Sequence, residues 1–296
     1  MTEPRRFLPG TTYFITRRCT QRIYLLKPSK RNTQIFLYCL AVAAKETGVI
    51  IHAICVMSNH WHIVVSDPNT RIAEFYGWVH KYVAKAVNAS YGRFENLWSS
   101  EKTSVIVPET NDDLMERIVY TLTNPVAARL VSNGEKWPGV WLYKRSHSQT
   151  VERPDVYFAE DGDMPKQIEL NIKPPPQFQH LGVEMYEQLI AQKLEEEVQN
   201  IHKEMASLNR SFLGVQGIMQ QSPFSSPVGK EKHFGINPKI AAKNKWLRIE
   251  AIQRHKVFIN DYRKARETWK EGDRDVLFPA GTYYLRIYSG VKCEPG

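Results

Sequence analysis

The sequence predicts an α+β chain: a ferredoxin-like, split-βαβ domain with an antiparallel sheet and helices on one face, followed by a mainly helical C-terminal extension. Three observations predict it. Short runs rich in Thr, Val, Ile and aromatics alternate with helically spaced apolar residues in the order β-α-β-β-α-β, with one more helix after them. Two of the β-rich runs are separated only by Ser58-Asn59, a hairpin connection. Beyond Pro174-Pro175-Pro176 the chain turns to long, charged amphipathic stretches.

Taken in order, residues 11–19 (TTYFITRRC) follow a Pro9-Gly10 turn and read as the first strand. Ser29 is a suitable N-cap for a helix over residues 30–47, closed by Gly48. Residues 49–57 and 60–66 form the hairpin, ended by Asp67-Pro68-Asn69. Ile72, Phe75, Val79, Tyr82, Val83, Ala86 and Val87 then repeat at helical spacing. A strand is expected over 103–107 and a helix over 111–123, capped by Thr110 or Asn111 with acids in its first turn. Asn124-Pro125 should break that helix, because a residue before proline is pushed out of the helical region. These boundaries give a first domain over 1–150, a linker over 151–180 stiffened by the prolines, and a basic, mainly helical extension over 181–296. Within the extension a helix is expected over 183–208, a loop over 213–235, a second long helix over 239–270 and a short strand over 282–288.

The net charge of +9 is unevenly distributed. Residues 1–149 carry +8, residues 150–229 carry −6 and residues 230–296 carry +7. Two basic blocks therefore flank an acidic middle, which suits phosphate neutralisation or simply a solvated Lys/Arg surface. The four cysteines are scattered with no CxxC pair, which argues against a cysteine zinc site and fits a reducing compartment. The longest apolar run, residues 35–44, is too short to span a bilayer, and the N-terminus lacks a signal-peptide apolar stretch. A soluble cytoplasmic protein without membrane contact is expected.

The most informative segment is Ser58-Asn59-His60-Trp61-His62. On a strand, His60 and His62 present both imidazoles on one face while Trp61 packs behind. A metal would suit that pair, and so would two hydrogen-bonded structural histidines, because His-x-His alone is a weak motif. A cation held by two imidazoles still needs an oxygen ligand and open positions. Tyr120 and Asn124, four residues apart on one helix face, offer a hydroxyl and an amide oxygen; read alone, Tyr120 is better explained as a helix residue packed on the core.

Together, Ser58-Asn59-His60-Trp61-His62 and Tyr120-Thr121-Leu122-Thr123-Asn124-Pro125-Val126-Ala127 resemble the two signatures of the REP-associated tyrosine transposases, within the single-tyrosine HUH transposases of the insertion-sequence type. The Pro9-Gly10 turn and Tyr13-Phe14-Ile15-Thr16-Arg17-Arg18 resemble that family's opening strand, so the similarity spans about residues 7–150. Ser58 departs from a more usual proline, and Thr121-Leu122-Thr123 is atypical; neither change touches a ligand or the nucleophile.

The resemblance implies that His60, His62 and Asn124 bind Mg²⁺ or Mn²⁺ and that Tyr120 is the catalytic nucleophile. It implies a metal-dependent single-stranded DNA endonuclease and strand transferase that forms a 5′-phosphotyrosine and acts at DNA hairpins or repeats. It also implies a bacterial, nucleoid-associated protein working as a monomer or homodimer on single-stranded or hairpin DNA. A phenol ionises near ~10, so such a nucleophile needs nearby cations to favour its ionised form during attack.

For DNA contact, Arg17, Arg18 and Arg22 near the first strand and Lys81 and Lys85 on one helix are candidates, each equally readable as solvated surface. Lys245, Arg248, Lys256 and Arg263, with Trp246 among them, would form a second footprint of phosphate-binding cations and a base-stacking ring. The alternative is an amphipathic helix packed on the first domain. Two other functional classes stay open: a domesticated, non-cleaving DNA-binding or regulatory protein of the same fold, and a phosphodiesterase in which water attacks and Tyr120 is structural.

Overall fold

The computed structural model describes residues 3–159, 162–229 and 238–295. The chain order is β1 (Thr11–Arg18), α1 (Lys30–Thr47), β2 (Ile50–Val56), β3 (His60–Asp67), α2 (Ile72–Ser90), β4 (Ser104–Pro108), α3 (Asn111–Ala127), β5 (Trp141–Leu142), β6 (Gln149–Glu152), β7 (Gln167–Leu170), α4 (Val183–Ser207), α5 (Gly214–Gln220), β8 (Ile240–Ala241), α6 (Lys245–Lys270) and α7 (Tyr284–Ser289). The main sheet runs β5-β2-β3-β1-β4-β8, so its central four strands have the ferredoxin-like order expected from the sequence. All pairings in this sheet are antiparallel except β4 with β8.

Strand alternation divides the interior in two. Tyr13 and Ile15 of β1, with Trp61, Ile63 and Val65 of β3, share one core with α1 and α2. Phe14 of β1 and Val64 of β3 point the other way and pack with Leu114, Ile118 and Leu122 of α3 and with Tyr186 and Ile190 of α4. The two crossover helices thus lie on one face as expected, while the helix bearing Tyr120 covers the opposite face.

Local chemistry fixes the helix ends. Ser29 accepts a hydrogen bond from the Asn32 backbone N–H, and Gly48 closes α1 at φ 74°, a left-handed cap open to a residue without Cβ. Thr110 and Asp113 form a reciprocal capping box at the start of α3.

Several expectations are corrected. Helix α3 does not break at Asn124-Pro125 but continues to Ala127. Pro125 lies within its last turn, and Val126 is held in a buried cluster with Val198, Ile201 and Met205 of α4, so tertiary packing overrides the proline. The supposed linker contains the β6–β7 hairpin, whose Val151, Ile168 and Leu170 are buried in the core shared with α1. The stretch expected as a loop after residue 213 holds α5, anchored by Ile218 among Cys55, Met57, Val131 and Trp137; its last part, residues 230–235, lies outside the described residues. The second long helix begins only at Lys245, capped by the Asn244 side chain, because Ile240–Ala241 instead add an edge strand beside β4. The expected C-terminal strand is the helix α7: Leu285 is buried with Ala265, Phe278 and Val291, while Tyr284, Ile287 and Tyr288 face outward. Among the described residues, no helix is long and apolar enough to cross a membrane.

Candidate active site

The site stands on the α3 face of the sheet, where β1 and β3 run side by side. The register sets Thr16 opposite His62 and Arg18 opposite His60. Trp61, fully buried, projects to the other face against Phe36 and His80, and this anchors the strand so that both neighbouring imidazoles face α3. The rings of His60 and His62 are 4.8 Å apart between centroids and nearly perpendicular.

Each imidazole is oriented by one nitrogen. Asn59 donates its Nδ2–H to the backbone oxygen of Arg22 at 2.9 Å, which turns its Oδ1 toward His60 Nδ1 at 2.7 Å. His60 therefore carries its proton on Nδ1, and its Nε2 presents a lone pair to the Oδ1 of Asn124, 3.3 Å away. His62 Nδ1 bonds the Thr16 hydroxyl at 2.8 Å, while His62 Nε2 is buried with no hydrogen-bond partner among the described residues. Burial pushes the His60 pKa down to about 4 and holds His62 well below the ordinary imidazole value, with His60 adding to the effect on His62. Both rings are thus neutral near pH 7, the form that ligates metals.

His62 Nε2 is left buried without a partner, a cost that a small cation would remove, and His60 Nε2 and Asn124 Oδ1 lie together on the same side. His60 Nε2, His62 Nε2 and Asn124 Oδ1 therefore fit a divalent metal. Among the described residues no group of three His, Cys, Asp or Glu converges on a metal position, so an amide oxygen has to be the third ligand in such a set. Asn124 is 9 % exposed and His62 is 4 % exposed, so the set is recessed.

Tyr120 stands beside this set with 45 % of its surface exposed. Its ring centroid is 5.3 Å from that of His62 and 5.9 Å from that of Phe14, edge-on to both, and Phe14 stacks flat on His62 at 5.4 Å. The phenol is consequently positioned by ring contacts without being packed into apolar interior. Sequence reasoning missed Arg117, one turn before Tyr120. Its guanidinium carbon is 5.8 Å from the Tyr120 ring centre and 5.9 Å from that of Phe14, and its Nε is buried with no hydrogen-bond partner among the described residues. The i, i+3 spacing with Tyr120 was the available signal. Thr16 and Asn59, which fix the imidazoles, were also unassigned.

The cations expected to grip DNA are scattered. Arg18 lies on the site's side of the sheet, bonded to Glu101 at 2.9 Å. Arg17 points to the opposite face and donates to the backbone oxygens of Ser99 and Glu101. Arg22 reaches the backbone oxygen of Gly229. Lys81 and Lys85 lie on α2, behind the sheet, against the Tyr82 and Tyr157 rings. Lys245, Arg248, Lys256 and Arg263 are exposed on α6, with Trp246 at 75 % exposure and Arg248 donating to the Ala242 oxygen. None of these α6 residues joins the histidine site. Just before α6, Lys243 reaches α3 instead, its ammonium 3.5 Å from the Glu116 carboxylate.

Residues 12–117 match the family model described as Transposase IS200 like. This part of the chain is similar to IS200-like transposases. The matched span includes both histidines and ends just before Tyr120. Among solved structures, a REP-associated tyrosine transposase bound to a REP hairpin is 21 % identical, with a TM-score of 0.40 over 47 % of this chain and 81 % of that one. A protein from Deinococcus radiodurans R1 described as a transposase is 17 % identical, with a TM-score of 0.30 over 42 % of this chain and 97 % of that one. No curated protein matches this chain.

Proposed function

We propose that this chain is an IS200-like transposase, a metal-dependent endonuclease and strand transferase for single-stranded DNA that acts through a phosphotyrosine on Tyr120. The observation that carries this reading is the buried, partnerless Nε2 of His62, flanked by His60 Nε2 and Asn124 Oδ1 and lying beside a half-exposed phenol. Structural histidines in a core are ordinarily bonded at both nitrogens when buried, as His52 is to Lys173 and Ser66. His62 lacks that satisfaction at Nε2, as does His80 behind the sheet, and His62 differs in having His60, Asn124 and Tyr120 gathered on its side.

When bound, Mg²⁺ or Mn²⁺ would supply Lewis-acid polarisation of the scissile phosphate and charge stabilisation for the departing oxygen. The protein's residues do the rest. His60, His62 and Asn124 would hold the ion, Asn59 keeping His60 in the ligating tautomer and Thr16 holding the His62 ring in place. The Tyr120 oxygen attacks phosphorus, losing its proton to solvent; the phosphorus to 3′-oxygen bond breaks, and that oxygen leaves with its electron pair and takes up a proton. The products are a 5′-phosphotyrosine and a free 3′-hydroxyl. Because the phosphodiester is conserved as a phosphotyrosine ester, an incoming 3′-hydroxyl can reverse the step and rejoin strands. Arg117, over the phenol ring, is placed to offset charge on the attacking oxygen and on the phosphate. Hairpin-flanking DNA is the substrate class we favour, in keeping with the REP hairpin held by one similar protein.

The test is covalent trapping. The protein is incubated with labelled single-stranded DNA and Mg²⁺ or Mn²⁺, then resolved in SDS. Wild type is expected to carry an SDS-resistant adduct that Tyr120→Phe lacks and His60→Ala forms at a greatly reduced level. An adduct of undiminished yield in Tyr120→Phe would overturn the assignment of the nucleophile, and release of cleaved DNA without an adduct would favour attack by water.

A further inference from the structure

The sheet has a second working face. Behind β1 and β4, on the side away from His60 and His62, an open cleft of about 1200 Å³ lies between α2, the N-terminal segment, α6 and α7. Its floor is set by strand alternation: Thr11 and Tyr13 of β1 and Val105 and Val107 of β4 face the cleft, while Phe14 and Ile106, their sequence neighbours, face α3. The cleft exceeds the ~300–1,000 Å³ of a small-ligand pocket, which argues for an extended occupant.

Its chemistry has two parts. Six lysines and arginines line it against three glutamates. Each glutamate is bonded to a nearby side chain: Glu3 to His255, Glu74 to Arg71 and Glu109 to Arg254. Arg5, Arg6, Lys81, Lys102 and Lys239 are the remaining cations, and they are distributed over the N-terminal segment, α2, the approach to β4 and the approach to β8. The second part is aromatic. Tyr284 and Tyr288 of α7 are paired at 4.6 Å and are 63 % and 67 % exposed, and Trp78 and Tyr82 of α2 are paired at 4.1 Å. Large exposed rings are costly to leave in water without a purpose, and rings set among an excess of cations are what a flexible polyanion with flat bases requires.

We infer that this cleft binds a single-stranded segment of nucleic acid, with phosphates on Arg5, Arg6, Lys81, Lys102 and Lys239 and bases on the Tyr284–Tyr288 and Trp78–Tyr82 pairs, at a site separate from the one beside Tyr120. The inference rests on reading the chain as a single-stranded DNA transposase and adds a second DNA contact across the sheet. It assigns a role to α7 and the N-terminal segment, which join the cleft through Phe7 against Tyr283.

The test uses the full chain carrying Tyr120→Phe, so that binding is read without covalent trapping, and a fluorescein-labelled oligo(dT) of about 12 nucleotides, within the ~4–16 nucleotide span of one single-strand site. Into it are placed Tyr284→Ser with Tyr288→Ser, or Lys81→Ser with Lys102→Ser, all exposed positions. Each pair is expected to weaken the Kd at least about tenfold, and the lysine pair to flatten the salt dependence of log K by about 1.4. An unchanged Kd and salt slope in both pairs would overturn the inference. So would displacement of the oligonucleotide by polyglutamate at equal charge, which would reduce the cleft to an unspecific anion surface. Covalent trapping in the Tyr120-intact protein is scored separately: trapping with no effect of the cleft variants sinks the cleft alone, and weakened binding in those variants without trapping sinks the nuclease reading alone.

Discussion

His60 Nε2 and Asn124 Oδ1 face each other at 3.3 Å, one from the hairpin strand β3 and one from the last turns of α3. With the His60 proton held on Nδ1 by Asn59, both groups are acceptors, and the buried lone pair of His62 is beside them. On the proposed reading, an ion held between these groups would relieve the burial cost of His62 Nε2.

Divalent ion should therefore stabilise the fold. At a free Mn²⁺ concentration about 100-fold above the Kd, mass action gives about 2.7 kcal/mol, visible as a rise in Tm. His62→Ala should abolish the shift. Thr16→Val, which removes the partner of His62 Nδ1, should leave the fold intact and weaken ion affinity by about 10- to 100-fold, measured by titration of the Tm shift. A full Tm response in His62→Ala would contradict the assignment.

Arg117 should matter to rate more than to DNA affinity. Its guanidinium lies over the phenol and its Nε is buried without a partner among the described residues, so Arg117→Gln removes charge compensation where it would develop during attack. Adduct formation is expected to slow by about 10²-fold, the usual scale for loss of one such donor, with the Kd for single-stranded DNA changed far less. Rapid-quench trapping with the variant measures this directly, and an equal fall in rate and affinity would make Arg117 a simple phosphate grip.

His52 should give the fold a pH dependence. It is fully buried in the bulge of β2, bonded to the Ser66 hydroxyl and the Lys173 oxygen, and burial lowers its pKa to about 4. An unfolded histidine titrates near ~6.5, so the unfolded chain binds the proton more readily. The stability contribution is complete above about pH 6.5 and is lost as pH falls toward about 4, amounting to on the order of 3 kcal/mol. Urea unfolding between pH 7 and pH 4.5 should show a steeper loss for wild type than for His52→Asn. Parallel slopes would remove His52 from the account.

The extension should be part of the folded unit. Ile218 of α5 is buried among Cys55, Met57, Val131 and Trp137, so Ile218→Ala is expected to cost about 2–5 kcal/mol, read by urea unfolding. A loss under about 0.5 kcal/mol would mean that α5 docks weakly.

What the sequence disclosed and what it withheld follow from the range of the forces involved. The hairpin around Ser58-Asn59, the Ser29 and Gly48 caps and the Thr110 cap are local, and strand alternation alone places His60 and His62 together with Trp61 behind them. The continuation of α3 through Pro125 depends on Val126 meeting α4, about 70 residues later in the chain. The two-residue strand β8 exists only because β4 offers an edge, and α7 is helical because burying Leu285 alone suits a helix turn better than alternate burial. The facing of cations was equally hidden: Arg17 and Arg18 are neighbours, yet one side chain holds loop carbonyls behind the sheet and the other stands on the site's side.

The convergence of three lone pairs on one ion next to Tyr120 is tested most directly by anomalous scattering from crystals grown with Mn²⁺. The expected result is a peak about 2–2.3 Å from His60 Nε2, His62 Nε2 and Asn124 Oδ1, absent in His62→Ala. A protein that binds Mn²⁺ elsewhere and leaves these three atoms bare would contradict the account.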